Sequence, residues 1–203
     1  MSEEAVLQIV LATSNLGKIE EIRTMTKDLP IEWVLQSDLK IPDIEETGKT
    51  FIENAILKAR HASQLSGLPA LADDSGLVID ALNGAPGIFS ARYAGENATA
   101  AERNQKILNE MHQIPADQRD ASYHCLLALV EYEDDPVPMI CHGIWEGSIL
   151  TAPRGKNGFG YDPIFYVPTH RCSAAELSTD EKNKISHRAQ VIEQLIEAFE
   201  DNV

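Results

Sequence analysis

The sequence predicts an α/β domain, and three stretches carry that expectation. Val6 to Thr13 is a nearly continuous apolar run, as a central strand covered on both faces requires. A turn, Ser14-Asn15-Leu16-Gly17, leads into Lys18 to about Lys27, where Ile19, Ile22 and Met25 recur on one helical face. Ile31 to Leu35 then repeats the strand pattern. At 203 residues the chain can form one well-buried α/β domain, or two small lobes sharing a sheet.

An acidic loop, Pro42 to Gly48, precedes a helix predicted over Thr50 to Ser66. Ile52, Ile56, Ala59 and Ser63 give that helix its spacing, and Gly67-Leu68-Pro69 stops it. A strand pair is expected next, on either side of a turn at Ala72-Asp73-Asp74-Ser75-Gly76. A Gly/Pro-rich passage follows, and then a helix over Thr99 to Met111 with Thr99 as its N-cap. Ser122 to Tyr132 and Met139 to Leu150 read as a hairpin joined across Glu133-Asp134-Asp135-Pro136. A glycine-rich loop, Arg154 to Pro163, leads towards a closing helix from Ser186 to about Glu200 with Ala189, Ile192, Ile196 and Phe199 along its seam. There is no internal repeat, low-complexity tract or linker, so residues 1–203 read as a single, two-lobed domain.

Composition excludes several classes. The net charge of −15 argues against binding to a nucleic acid polymer, which needs a basic face. A small phosphate ligand needs only a few local cations and stays open. No apolar stretch is long enough to span a membrane, and Ser2-Glu3-Glu4 carries the wrong charge for a secretory signal. Cys125, Cys141 and Cys172 are odd in number and scattered, which suits a reducing compartment. The expectation is a soluble cytoplasmic protein.

Four constellations can carry chemistry, each beside a plainer reading. Thr13 to Lys18 lies between strand and helix, where backbone N–H groups, a helix dipole and a lysine could hold an anion. It is no P-loop, because Ala12 and Ile19 stand where that pattern needs Gly and Ser/Thr, and an ordinary capped helix start would look the same. Glu45 and Glu46, with Lys58 on the following helix, could supply one half of a Mg²⁺ site and the Asp73-Asp74 pair the other. Mg²⁺ takes few protein carboxylates and completes its octahedron with water and phosphate oxygens. Acids in a loop are otherwise simply solvated, and Asp-Asp-Ser-Gly is also a common turn.

In the third, Gly158-Phe159-Gly160-Tyr161-Asp162 offers close backbone approach and two flat rings, and base–aromatic stacking is worth about 1–3 kcal/mol. A hairpin loop with packed aromatics is the alternative. In the fourth, Lys182 with Ser186-His187-Arg188 offers donors to a base carbonyl or a phosphate, against a solvated helix turn. Zinc at His124-Cys125 and Cys141-His142 is disfavoured, since strand alternation points the members of each pair to opposite faces.

Seven strings occur in order along the chain: Ala12 to Lys18, Glu45 to Gly48, Phe51 to Ala59, Ala72 to Gly76, Gly87 to Gly95, Gly158 to Phe165, and Ser186-His187-Arg188. With this set the chain resembles the non-standard purine nucleoside triphosphate pyrophosphatases, which act on dITP, ITP and XTP. Ser14 departs from the Gly or His often found there, and Lys156-Asn157 is a second variation. The resemblance implies a long curved mixed β-sheet with flanking helices, two lobes around a central cleft, and a homodimer. It implies Mg²⁺-dependent hydrolysis to the monophosphate and pyrophosphate, which cleanses the nucleotide pool of deaminated purines. Asp74 would be the catalytic acceptor and a metal ligand, assisted by Glu45 or Glu46. Thr13, Ser14, Asn15, Leu16, Gly17, Lys18 and Lys58 would hold the phosphates. Ser75, Phe159, Gly160, Tyr161, Asp162, Lys182, His187 and Arg188 would line the nucleotide pocket.

Overall fold

The computed structural model describes residues 6–200; Ser2-Glu3-Glu4 lie outside them. The elements in chain order are β1 (Leu7–Leu11), α1 (Leu16–Met25), β2 (Ile31–Leu35), α2 (Phe51–Ser66), β3 (Ala70–Ile79), α3 (Ala100–Glu110), β4 (Asp120–Val130), β5 (Met139–Ile149), β6 (Phe165–Val167), β7 (Cys172–Ser173), α4 (Thr179–Ile185) and α5 (His187–Glu200). The strands form one mixed sheet in the order β2-β1-β3-β4-β5-β6-β7. β1 runs parallel to β2 and β3, whereas β5–β6 and β6–β7 are antiparallel. Among the described residues, no helix is long and apolar enough to cross a membrane.

The chain divides into two compact units, and β3, β4 and β5 each contribute residues to both. The first comprises the chain up to Asp74, Cys125–His142 and the chain from Arg188. Strand alternation builds it as three layers. Ile9, Leu11, Leu71, Cys125 and Leu127 pack with Ile19 and Ile22 of α1 and Val191, Ile192 and Leu195 of α5. Val10, Ala12, Ala70, Ala72 and Ala128 pack with Ala55, Ala59 and Ala62 of α2. Ile9 to Leu11 is apolar at every position because both faces of the strand are covered there, whereas Val6, Leu7 and Gln8 are exposed. The second unit, Ser75–His124 and Gly143–His187, has its own core around Leu77, Ile107, Tyr123, Trp145, Ile164 and Phe165.

One element departs from expectation. Ala72 to Gly76 is not a turn between two strands but the middle of one continuous strand, β3. Two adjacent carboxylates can lie inside a buried strand only if each is neutralised, and both are (below). The sequence reading also missed α4. This seven-residue helix starts at a capping box in which Ser178 and Glu181 bond each other's backbone N–H. It places Lys182 on a separate helix from His187 and Arg188.

Capping boxes recur at Thr50/Glu53, Thr99/Glu102 and Ser173/Glu176. In each box the hydrogen bonds received from the cap residue hold the glutamate below its ordinary value of 4.5. A lowered folded pKa gives stability that is present above the unfolded pKa and lost as pH falls through the folded one. The urea midpoint should therefore decline as pH drops below 4.5. A Glu53→Gln/Glu102→Gln double variant should decline less steeply over that window. Parallel titration curves for the two proteins would contradict it.

Candidate active site

Alternation along β3 sends its two aspartates to opposite faces. Asp73, on the α1/α5 side with Leu71, is almost fully enclosed. Lys18 Nζ lies 2.9 Å from its Oδ2, Arg188 Nη2 lies 3.4 Å away, and Cys125 Sγ donates at 3.8 Å. Arg188 is itself only 2% exposed, and its Nη1 pairs with Glu21 of α1. A Glu21–Arg188–Asp73–Lys18 chain thus ties α1, α5 and β3 together.

Asp74 points the other way, to α2. Lys58 Nζ meets its Oδ1 at 3.2 Å and Glu46 Oε1 at 2.9 Å, so one ammonium joins the acidic loop to the strand. Asn54 Nδ2 donates to Asp74 Oδ2 at 3.2 Å, and Gly48 N donates to Asn54 Oδ1 at 2.8 Å. Burial disfavours the charged Lys58, but Asp74, Asp73 and Glu46 outweigh it and raise its pKa above 10.5. Burial is also the largest influence on Asp74, and it wins: the carboxyl sits above 3.8 despite the pull of Lys58 and Lys18. An ion pair alone would have lowered it, so desolvation decides the sign. Glu45 is exposed, and it is Glu46 that reaches Lys58.

The Thr13–Lys18 turn is a capped helix start. Asn15 Oδ1 accepts from Gly17 N at 3.0 Å and Lys18 N at 3.3 Å, and Thr13 Oγ1 accepts from Asn15 N at 3.2 Å. Ser14 and Leu16 are exposed, and no acidic residue occupies the first turn of α1.

In the second unit Asp162 is the organising residue. Its Oδ2 accepts from Phe159 N at 2.9 Å and pairs with Lys182 Nζ at 2.7 Å, and Tyr123 Oη donates to its Oδ1 at 3.4 Å. Gly158 turns at φ 70°, and a Cβ there would fall on Asp162 Oδ2, so the loop closes tightly over the carboxylate. The Lys182 ammonium also lies 4.6 Å from the centre of the Phe159 ring, a cation–π contact. The two aromatics of the loop differ. Phe159 is 37% exposed, whereas Tyr161 is in the core with its hydroxyl donating to Ser90 O at 2.7 Å. His187 is buried and stacks on Tyr123, with ring centres 4.7 Å apart and planes 5° from parallel, and Trp145 lies beside the pair, 6.2 Å from Tyr123 and 6.3 Å from His187. Ser75 follows Asp74 directly and is half-buried.

Residues 9–198 match the model of the Ham1 family. The chain belongs to the Ham1 family. Among curated members, the dITP/XTP pyrophosphatase of Coxiella burnetii is 60% identical over 190 residues, covering 94% of this chain and 95% of that one. The dITP/XTP pyrophosphatase of Escherichia coli K12 is 52% identical, covering 95% and 98%. The solved Ham1 structure from Coxiella burnetii superposes with a TM-score of 0.91 at 59% identity, covering 96% of this chain and 99% of that one. The Staphylococcus aureus Ham1 protein gives 0.86 at 40%, covering 97% and 100%. The α/β mixed sheet predicted from sequence is thus the Ham1 fold.

Sequence reading singled out neither Asn54 nor Glu21, and it overlooked Tyr123 and Trp145. Asn54 had a signal, since it lies four residues before Lys58 and so on the same face of α2. The others have none, because their partners are remote in the chain.

Proposed function

We propose that this Ham1 family member hydrolyses dITP, ITP and XTP/dXTP to the monophosphate and pyrophosphate, and so keeps deaminated purines out of DNA and RNA. The observation that supports the chemistry is the Asp74 carboxylate, buried at the sheet between Asn54 and Lys58 and joined through that lysine to Glu46. The names of the curated members support the substrate class.

Asp74 orients a water and takes its proton as the water oxygen bonds to the α-phosphorus. The bond from that phosphorus to the bridging oxygen breaks, and pyrophosphate leaves. Its raised pKa suits a base better than an ordinary surface carboxylate would. Lys18 and Lys58 offset the charge of the phosphates, with Thr13 to Gly17 supplying polar groups at the start of α1. Arg188 holds Asp73 and, through it, Lys18.

The acid set fits Mg²⁺. Glu46 and Asp74 present oxygens around one ammonium. Few carboxylates, completed by substrate oxygens, are what Mg²⁺ accepts. Glu46 and Asp74 would hold it, with Glu45 beside them on the loop. Bound there, the ion would polarise the phosphoryl oxygens.

Base recognition falls to the second unit's set. Phe159 offers the stacking face, while Ser75, Gly160, Tyr161 and Asp162 shape the pocket. Donors on Lys182 and His187 match a 6-oxo purine. Adenine would present donor to donor and leave buried groups unpaired, which discriminates strongly. The protein works as a cytoplasmic homodimer in this reading.

Incubation with ITP and Mg²⁺ should release IMP and pyrophosphate, with dITP and XTP turned over comparably and ATP by far less. Release of IDP and single phosphate would remove the mechanism, and preferential turnover of a pyrimidine triphosphate would remove the substrate class.

A further inference from the structure

Asn54 is fully buried, on the face of α2 that packs against the sheet, and a buried amide needs its donors and its acceptor placed separately. Its orientation is dictated by the backbone. Gly48 N can only donate, so the amide atom that meets it at 2.8 Å is Oδ1. Nδ2 is then left facing Asp74 Oδ2, 3.2 Å away. Gly48 has no room to vary, since a Cβ there would lie 2.5 Å from Asn54 Oδ1 and 2.7 Å from Glu53 Cβ. Lys58 takes the other oxygen of Asp74 and reaches Glu46, two residues before Gly48. The contacts close a ring: Glu46 to Lys58, Lys58 to Asp74, Asp74 to Asn54, Asn54 to Gly48, and back along the chain to Glu46.

We propose that Asn54 is a positioning residue for hydrolysis, its amide, oriented by Gly48 N–H, holding the Asp74 carboxylate in register with the loop that carries Glu46. The inference rests on the reading of Asp74 as the base. Lys58 alone leaves the carboxylate free to rotate about the bond to its Cβ. A second donor on Oδ2 removes that freedom, and Gly48 N–H fixes which atom of the amide faces the carboxylate. Asn54 touches neither water nor nucleotide in this role. Its effect belongs in turnover rather than in nucleotide affinity.

Asn54→Asp separates the two bonds. An Asp still accepts from Gly48 N but cannot donate to Asp74. Outer-sphere partners of this kind typically contribute about 10–100-fold, so kcat for ITP should fall by about that factor with KM changed less than about threefold. Asn54→Ala removes both bonds without adding charge and should show the same split, which covers the case in which the Asp variant does not fold. ITP binding followed calorimetrically with Ca²⁺ in place of Mg²⁺ should keep its wild-type stoichiometry in both variants. Unchanged kcat, a loss confined to KM, or a loss matched by a shrinking binding-competent fraction would overturn the assignment. Wild-type protein that releases no pyrophosphate from ITP would instead remove the function itself, so the two failures are distinguishable.

Discussion

Asp74→Asn should lower kcat for ITP by at least about 10³-fold, the scale on which single groups acting in the transition state are felt. The replacement is isosteric and keeps an acceptor for either Asn54 or Lys58, but it cannot take a proton from water. The variant should still melt cooperatively, so that the loss is one of chemistry and not of fold. The folded pKa of Asp74 is raised, so between 3.8 and its folded value the native state binds the extra proton. Native stability therefore drops as pH rises through that window. Thermal melting with steady-state kinetics on the same preparations checks both halves. A variant that keeps a tenth of wild-type turnover would take Asp74 out of its role.

Arg188→Met should destabilise the fold by about 3–5 kcal/mol, the range found when one member of a buried ion pair is removed and its partner stays charged. The arginine is 2% exposed and faces two carboxylates, Glu21 and Asp73. Burial alone would push its pKa down, and Asp73 and Glu21 more than reverse that. Methionine fills similar volume, so the loss comes from two carboxylates that lose their arginine rather than from a cavity. A Glu21→Gln/Arg188→Met double variant should recover part of the loss, because only Asp73, still held by Lys18, is then left charged. Urea midpoints for the single and double variants make the comparison. A single variant within about 1 kcal/mol of wild type would show the network to be dispensable.

What could be read in the sequence was what depends on near neighbours. The seam of α2, the cap at Thr99 and the apolar run of β1 are local patterns, and the structure has them within a residue or two. The stretch at Asp73-Asp74 was misread as a turn for the opposite reason. What permits two acids inside a strand is Arg188, Lys18, Asn54 and Lys58, supplied from three other elements. The choice between Glu45 and Glu46 likewise depends on where the loop points them. Tyr161 looked like a second stacking face until the core claimed it, and Asp162 looked like a pocket residue when it also anchors the loop that contains it.

The opposed orientation of Asp73 and Asp74 has a consequence for how this segment can change over evolutionary time. Substitutions in β3 act one position at a time, but an insertion or deletion of a single residue between Ala70 and Asp73 inverts the parity of everything after it. An insertion would put the Asp73 carboxylate beside Lys58 and carry Asp74 past Arg188, whereas a deletion would put Asp74 beside Arg188 and bring Ser75, not an acid, beside Lys58. The two residues have the same chemistry, yet they are not interchangeable, since their tasks are assigned by odd and even position in the strand. Length variation in this protein is therefore expected in the segments between elements, such as 131–138, and not in the few residues that lead into the aspartate pair.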